Sequence, residues 1–362
     1  MSTYSEPAAA AESVIPTFDV RALARRAAIP AALAALVVAV LLVAGGPLHA
    51  FADALRRAVD ADPRWVAGAA ILELGSFVGY IALLWLIGGH ATERIGLRES
   101  TEVTLGGAAA TRLLPTAGVG GAALTLWALR RTGMGSRNAT RTLMTFLITL
   151  YSVFLVAIMS SGVALATGLA DGSGPAALGI VPAIGAAIVF FGHLALAAWA
   201  PRGETNGRIA GAAGMIGGAV RDGLRLLRSL DPRLLGAVAW WTFDGAVLWA
   251  MLHAFGAPPP LAVVVLAYFV GQVGNTIPVP GAVSGGMVGI LVAFAVPADL
   301  ALVSVFAYRA VAIWLPAPIG LVALGSLRRT IARWSAEDAV EPKSEPVVLK
   351  PRPCAEPALL AA

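Results

Sequence analysis

The chain alternates long apolar stretches with short connections that carry most of its charge. A helix needs about 20 apolar residues to cross a bilayer, and six stretches meet that length without interruption. These stretches cover residues 27–46, 65–87, 143–169, 180–200, 234–255 and 300–324. The pattern therefore predicts an all-α polytopic membrane protein with six spanning helices.

Two further apolar stretches, 103–129 and 261–296, are interrupted in the middle by proline and glycine. Four residues mark the interruptions: Arg112, Pro115, Asn275 and Pro278. Each half of the first stretch has about 13 residues and rises about 20 Å, which is less than the roughly 30 Å of the hydrocarbon core. Each stretch could be one kinked crossing, or a re-entrant hairpin that leaves the membrane on the side it entered.

The distribution of lysine and arginine favours two hairpins, because cytoplasmic loops of membrane proteins carry an excess of these residues. With two hairpins, both termini are cytoplasmic and all but five of the 26 lysines and arginines lie on that side. The exceptions are Arg56, Arg57, Arg64, Arg112 and Arg309. We therefore predict two oppositely oriented re-entrant hairpins, the first entering from the cytoplasm and the second from outside.

The hairpins divide the chain into two units of opposite orientation, residues 65–169 and 234–324. Each unit consists of a helix, a broken hairpin and another helix. Glu73 lies in the leading helix of the first unit and Asp244 in that of the second. Such an inverted repeat is typical of transporters that bind their substrate between the two halves.

The segments outside the two units are more polar. Residues 205–230 carry apolar residues at helical spacing and arginines on another face, which fits a cytoplasmic interfacial helix or a solvated linker helix. Residues 1–20 and 334–362 are rich in proline and charge, so we predict a disordered leader and a disordered tail around a transmembrane domain at 21–333.

The composition agrees with a membrane protein and limits the kinds of functional site that we expect. Hydrophobic residues make up 58% of the 362 positions and charged residues 13%, against about 45–50% and about 25% in soluble domains. We interpret the net charge of +5 as membrane topology rather than nucleic-acid binding. The single cysteine and four scattered histidines predict neither a disulfide nor a metal site. Nucleotide-binding and hydrolase motifs are missing, so we expect no cofactor, no catalytic residue and no enzyme activity.

Four charged residues fall within predicted membrane segments: Glu73, Arg112, Asp244 and Arg309. A charge at the centre of a membrane helix costs about 2.5–3.5 kcal/mol on insertion scales, so these side chains should pair or line a polar cavity. Pro115 and Pro278 suit the first turn of the returning half-helices, whose free N–H groups attract anions. We therefore predict an anion site at mid-membrane depth. The alternatives are static salt bridges, and glycines that only serve helix packing.

Several of these residues belong to motifs that resemble a known family. The run Asn275-Thr-Ile-Pro-Val-Pro-Gly281 is followed by Gly-Gly-Met-Val-Gly and then by Tyr308-Arg309. Together with Pro115 and the glycine pair after it, these motifs resemble the transmembrane domain of lysylphosphatidylglycerol synthases and their stand-alone, flippase-like relatives. One departure is Ala122, which stands where the family often has an acidic residue.

The resemblance implies a protein of the bacterial inner membrane that moves a lipid, in the best-known members an aminoacylated phosphatidylglycerol, between leaflets. Only residues 334–362 follow the predicted domain, so we do not expect lysyl transfer. The expected head-group site consists of Arg112, Pro115, Asn275, Pro278 and Arg309. Glu73 and Asp244 are expected to pair charges or to carry protons.

The expected partners are membrane lipids, above all an anionic phospholipid, with no nucleic acid. A second copy of the chain or an enzyme of envelope synthesis is a further candidate. Two other functions stay open, a carrier of a small anionic solute and a non-transporting scaffold for envelope lipid or glycan synthesis.

Overall fold

The computed structural model describes residues 61–113, 119–201, 207–276, 279 and 281–340, without the side chains of residues 112, 113 and 340. These residues form eleven α-helices and two short 3-10 helices, Pro232–Leu234 and Gly274–Thr276. The α-helices are α1 Pro63–Ala91, α2 Leu97–Leu113, α3 Val119–Arg131, α4 Ser136–Ala166, α5 Ala176–Trp199, α6 Arg208–Ser229, α7 Leu235–Phe255, α8 Leu261–Val273, α9 Ala282–Ala293, α10 Ala298–Trp314 and α11 Pro316–Val340.

Five helical segments of the described chain are long and apolar enough to cross a membrane: Pro63–Ala91, Ser136–Ala166, Ala176–Trp199, Pro232–Phe255 and Ala298–Ala339. Each coincides with one of the predicted spans after residue 61. The first predicted span, 27–46, and the predicted leader, 1–20, lie outside the described residues.

The last span differs from its prediction in two ways. Residues 300–324 were expected to form one helix, whereas α10 ends at Trp314 and α11 begins at Pro316. Proline lacks a backbone N–H and is tolerated in the first turn of a helix, so Pro316 marks the point where the run divides. The predicted tail starts at residue 334, but α11 continues to Val340 and Trp334 is buried. This corrects the boundary of the tail.

Helices α1 and α7 form the centre of the bundle and run antiparallel. The Asp62 amide donates a hydrogen bond to the Ala254 carbonyl at one end (3.1 Å). At the other end the Arg233 guanidinium lies over the Trp85 ring, 4.7 Å from its centroid. Between these ends, glycine allows the two backbones to approach closely, as it does in many membrane helix pairs.

The two ends of the bundle differ in charge. Near Arg233, one end also holds the Arg94–Asp338 and Arg141–Asp222 ion pairs. We call this the arginine-rich end, and the end near Asp62 and Ala254 the opposite end. The charge asymmetry is the one expected if the arginine-rich end faces the cytoplasm.

Each interrupted stretch forms a helical hairpin. In the first, a Cβ on Gly107 of α2 would lie 3.3 Å from the Gly121 Cα of α3. In the second, a Cβ on Gly286 of α9 would lie 3.1 Å from the Gly271 Cα of α8. Helices of 13 and 12 residues in the second hairpin are short for a membrane crossing.

The second hairpin begins and ends at the opposite end of the bundle. A Cβ on Gly172, which follows α4, would contact Val263 near the start of α8 and Phe294 just after α9. The first hairpin belongs to the arginine-rich end, because α2 starts beside Arg94 and the Arg130 guanidinium donates to the Ser136 hydroxyl at the start of α4 (2.6 Å). The two hairpins therefore enter the bundle from opposite ends.

Helix α6 occupies the segment predicted as an interfacial or linker helix. It packs against α4 and α5 rather than projecting away from them. Its Asp222 carboxylate accepts hydrogen bonds from the Arg141 Nε and Nη2 groups of α4 (2.6 and 2.9 Å). Its Arg221 donates to the Ala197 carbonyl in the last turn of α5 (2.9 Å). The helix is thus an integral part of the arginine-rich end.

Candidate functional site

A cavity of about 240 Å³ lies where the two hairpins meet α1, α4, α7 and α10. The first hairpin contributes Thr111 and Gly121, and the second contributes Gln272 and Asn275. Further lining residues come from the surrounding helices: Phe77, Tyr80, Leu147, Tyr151, Trp240, Trp241, Asp244, Tyr308 and Arg309. We call this space the central cavity.

Asp244 organises the polar wall of the central cavity. Its Oδ2 atom accepts hydrogen bonds from the Tyr268 hydroxyl, from the Tyr308 hydroxyl (3.2 Å) and from the Gln272 amide (3.4 Å). The Gln272 amide also donates to the Tyr308 hydroxyl (3.0 Å). The network continues to the hairpin tip, where the Asn275 amide donates to Gln272 Oε1 (2.6 Å). Such a network fixes a buried carboxylate relative to the tip of α8.

The other carboxylate oxygen of Asp244 is buried without compensation by any described residue. Asp244 is 97% buried, and its Oδ1 atom has no hydrogen-bond partner within the described part of the chain. A buried acceptor without a partner costs about 1–3 kcal/mol, which a hydroxyl or ammonium donor on a ligand would recover. The wall of the central cavity therefore contains an uncompensated acceptor as well as donors.

Arg309 supplies the positive charge of the central cavity. It follows Tyr308 on α10, is only partly buried and forms no ion pair or hydrogen bond with any described residue. An arginine in such a position can bind a carboxylate or phosphate with two parallel hydrogen bonds. Arg309 together with the Asn275 tip therefore suits an anion, and Asp244 suits a donor on the same molecule.

Aromatic rings close the central cavity on the side of α1, α4 and α7. The Tyr80 ring meets the Trp240 and Phe146 rings, each at a centroid distance of 4.8 Å. The Trp241 indole N–H donates to the Leu150 carbonyl (2.8 Å), which anchors that ring between α7 and α4. The Tyr80, Trp240 and Trp241 rings thus give the central cavity an aromatic wall beside its polar groups.

A second, larger space adjoins the central cavity. It has a volume of about 790 Å³ and lies between α4, α5, α6 and the start of α7. Its lining is mainly apolar and includes exposed side chains, among them Val156, Leu227 and Leu235, so the space opens to the outer surface of the bundle. Leu147 and Tyr151 line both spaces and separate them. We call the larger space the lateral groove.

The structure brings together three of the seven residues predicted for the site. Asp244, Asn275 and Arg309 all line the central cavity. Glu73 is fully buried in α1 and does not line it. Pro115, Pro278 and the Arg112 side chain lie outside the described residues. In the second hairpin the returning helix α9 begins at Ala282, rather than at the proline as predicted.

Gly281 precedes α9 with φ of 84°. This left-handed conformation is open to glycine and strained for most other residues, which explains a glycine at this turn. The chain thus reverses at Gly281 before the returning helix starts.

Sequence reasoning missed the residues that hold Asp244 in place: Tyr268, Gln272 and Tyr308. One signal existed, since Gln272 is the only amide side chain in the apolar run of α8 and precedes Asn275 by three residues. Residues three apart share a helix face, so this spacing could have placed Gln272 beside Asn275 near the hairpin tip.

Comparisons with known proteins identify the family of this chain. No curated protein matches the chain. Residues 28–320 match the family described as Lysylphosphatidylglycerol synthase TM region. This match spans both hairpins and all three described site residues that line the central cavity. The chain is therefore a multi-pass membrane protein and belongs to the family of the lysylphosphatidylglycerol synthase transmembrane region.

Proposed function

We propose that this protein moves an anionic phospholipid, or a related anionic lipid, between the two leaflets of the membrane. In this proposal the head group passes through the central cavity while the acyl chains stay in apolar surroundings. The protein forms and breaks no covalent bond, and membrane lipids are its partners.

The main support for the proposal is that the polar central cavity adjoins the apolar lateral groove. A lipid has a charged head and a long hydrocarbon part, and each needs its own environment. The central cavity supplies charged and amide groups, while the lateral groove supplies aliphatic side chains and an opening toward the bilayer. Leu147 and Tyr151 are the only described lining residues that the two spaces have in common.

The chemistry of the central cavity favours a head group with a phosphate and a hydrogen-bond donor. Arg309 and Asn275 are suited to the phosphate, and the Asp244 carboxylate, which lines the same cavity, is suited to a hydroxyl or ammonium group. A phosphoglycerol head group has both features. A neutral lipid without phosphate would leave Arg309 without a counter-charge in a low-dielectric site.

The proposal includes a topology. Both hairpins would be re-entrant in the bacterial inner membrane, with the arginine-rich end and both termini in the cytoplasm. Head-group access from both sides would follow, because the hairpins enter the bundle from opposite ends and described residues of both line the central cavity.

A carrier of a small anionic solute is the second candidate, because Arg309 and Asp244 could bind a solute and a proton. Such a carrier needs the central cavity but has no use for the lateral groove. The 790 Å³ of apolar space beside the cavity therefore favours the lipid.

Liposomes with a trace of fluorescent phosphatidylglycerol test the proposal. Dithionite, which does not cross the bilayer, bleaches only the outer leaflet, so loss of more than the outer-leaflet signal reports exchange. We expect the wild type to exchange labelled phosphatidylglycerol faster than protein-free liposomes do. Arg309→Gln should lower this rate by about tenfold or more, as expected for loss of a charge-assisted contact.

The matched control is Arg328→Gln, which removes an exposed arginine from α11 at a distance from the central cavity. It should exchange lipid at the wild-type rate. Equal rates in wild-type, Arg309→Gln and protein-free liposomes would overturn the proposal. Uptake of a small anion without any lipid exchange would favour the solute carrier instead.

A further inference from the structure

A third space lies at the arginine-rich end, between the start of α4, the end of α5 and α6. It has a volume of about 530 Å³. Four arginines are among its lining residues: Arg137, Arg141, Arg221 and Arg225. We call this space the basic pocket. It has no lining residue in common with the central cavity.

The described lining of the basic pocket carries basic side chains and no acidic one. Asp222 accepts from Arg141 and also pairs with Arg225. Asp222 is therefore paired with two of the four arginines, and the described lining of the pocket contains no acidic residue. A lining of this kind attracts anions, particularly at the edge of a low-dielectric region.

The hydrogen bonds within the basic pocket leave donors for a ligand. A guanidinium group has five N–H donors. Arg221 uses Nη1 for the carbonyls of Ala197 and Ala200 (2.9 and 3.4 Å), which holds its side chain in place at the end of α5. Most N–H groups of Arg141, Arg221 and Arg225 have no partner among residues that the structure describes. Preorganised donors of this kind bind oxyanions well.

The start of α4 adds to the attraction. Gly135 precedes this helix of 31 residues without a side-chain cap, and the first turn contains no acidic residue. Arg137 and Asn138 of this turn line the basic pocket. The positive end of the helix dipole therefore lies at the basic pocket and attracts an anion there, as the arginine charges do.

We infer that the basic pocket is a second anion site, which binds a phosphate group independently of the central cavity. Phosphate matches the geometry of arginine better than a spherical halide does, because its oxygens accept paired N–H bonds. The phosphate could belong to an anionic lipid of the adjacent leaflet or to a soluble compound. The site does not depend on the proposed transport.

Binding to the basic pocket would link three helices. Arg137 and Arg141 belong to α4, Arg221 and Arg225 belong to α6, and Arg221 also holds the end of α5. The opposite face of α6, including Val220, Gly223 and Leu227, lines the lateral groove. A phosphate in the basic pocket therefore stabilises one wall of the lateral groove. Because a ligand that binds only the folded state raises its stability, thermal unfolding reports the binding.

The test uses the full chain in a neutral detergent, with unfolding followed by tryptophan fluorescence. One series adds inorganic phosphate at constant ionic strength, with chloride as the comparison. A second series adds dioctanoyl phosphatidylglycerol, with dioctanoyl phosphatidylcholine as the comparison. Every series is repeated in an Arg309→Gln background, which removes the charge of the central cavity.

We expect phosphate, phosphatidylglycerol or both to raise the Tm in the wild type and in Arg309→Gln. The double variant Arg137→Gln, Arg225→Gln should need about tenfold more ligand for the same shift. The matched control is Arg208→Gln, Arg228→Gln, which removes two exposed arginines of α6 that do not line the basic pocket. It should respond like the wild type.

The results also separate the two sources of phosphate. A shift with phosphatidylglycerol alone assigns the site to a lipid, and a shift with inorganic phosphate alone assigns it to a soluble compound. No shift with either ligand, or equal responses of the pocket variant and the control, would overturn the inference. A shift that disappears only in Arg309→Gln would place the binding in the central cavity, which also overturns the inference but supports the proposed transport.

Discussion

Gly79 of α1 packs against Gly236 of α7 so closely that a Cβ added at Gly79 would lie 2.7 Å from the Gly236 carbonyl oxygen. The same added atom would lie 2.8 Å from the Trp240 amide nitrogen. This contact sets the distance between the leading helices of the two units. Because Tyr80 and Trp240 line the central cavity beside it, the contact also determines the shape of the cavity.

Gly79→Ala should therefore destabilise the protein. Backbone atoms cannot move aside as a flexible side chain can, and overpacking of this kind typically costs about 1–3 kcal/mol. We expect a lower Tm in detergent and slower lipid exchange. Gly68→Ala is the matched control, because an added Cβ there meets no atom within 4 Å and the gain in helix propensity is the same. Equal Tm values for the two variants would contradict the close contact.

Asp244 provides a second prediction, which separates its hydrogen bonds from its charge. Asp244→Ala removes an acceptor shared by Tyr268, Tyr308 and Gln272, and a buried donor left without a partner costs about 1–3 kcal/mol. Asp244→Asn retains an acceptor oxygen and should preserve more of the Tm. We expect both variants to slow lipid exchange, because neither has the carboxylate that would bind the head group.

Thermal unfolding and the dithionite assay on the same preparations distinguish these effects. Wild-type exchange by Asp244→Asn would show that the charge is not needed, and would limit Asp244 to a role in packing. An equal loss of Tm in both variants would argue against the hydrogen-bond network.

The five described spans and the breaks in the two interrupted stretches could be predicted because their causes are local. An uninterrupted apolar run specifies a buried or membrane helix, and proline with glycine specifies a break. The meeting of Asp244, Asn275 and Arg309 was also foreseeable, since buried charges and amides must find polar surroundings. The resemblance of the Asn275 and Arg309 motifs to one family pointed to the same place.

The tyrosines around Asp244 could not be predicted, because a tyrosine in an apolar helix fits a lipid-facing position as well as a buried one. Only the packing of α7, α8 and α10 decides between these positions. The lateral groove could not be predicted either, because its residues are mainly ordinary aliphatic side chains on four helices. Such a groove depends on how the helices are arranged and leaves no pattern in any one of them.

Glu102 is a buried charged residue whose partners could not be predicted from the sequence either. It precedes the apolar run of the first hairpin, yet it is 5% exposed and accepts hydrogen bonds from Ser326 (2.6 Å) and Thr330 (2.8 Å) of α11. More than 200 residues separate these partners along the chain. A sequence pattern within one helix cannot reveal a partner at that distance.

Glu102→Ala should loosen the contact between α2 and α11. The two hydroxyl groups lose their acceptor, so we expect a loss of about 1–3 kcal/mol in stability and a lower Tm. Glu337→Ala is the matched control, because Glu337 is exposed and its contact with Arg333 is long, at 3.8 Å. Surface ion pairs of this kind contribute at most about 1 kcal/mol. A larger Tm loss in Glu337→Ala than in Glu102→Ala would contradict this assignment.

Tyr151 gives a prediction about the passage between the two spaces. Its ring lies on the boundary between the central cavity and the lateral groove and packs against Trp241 at a centroid distance of 5.5 Å. Tyr151→Ala removes the ring and should join the two spaces, which we expect to raise the rate of phosphatidylglycerol exchange several-fold.

Tyr151→Phe keeps the ring and is the control, with an exchange rate near that of the wild type. If Tyr151→Ala left the rate unchanged while Arg309→Gln abolished exchange, the head group would not pass this boundary. The lateral groove would then have no part in transport.

The orientation of the two units gives the last prediction, because re-entrant hairpins place particular loops on particular sides. Single cysteines replace Ser136 at the start of α4, Ser173 before α5 and Ala257 before α8, all exposed, in a Cys354→Ser background. We expect a membrane-impermeant maleimide to label Ser136→Cys only from the cytoplasmic side, and Ser173→Cys and Ala257→Cys only from the outer side. If the first hairpin instead crossed the membrane once, residues 136 and 94 would lie on opposite sides of the membrane. In the structure both residues lie at the arginine-rich end. Labelling of Ser136→Cys and Ala257→Cys from the same side would exclude the inverted arrangement, and with it access to the central cavity from both leaflets.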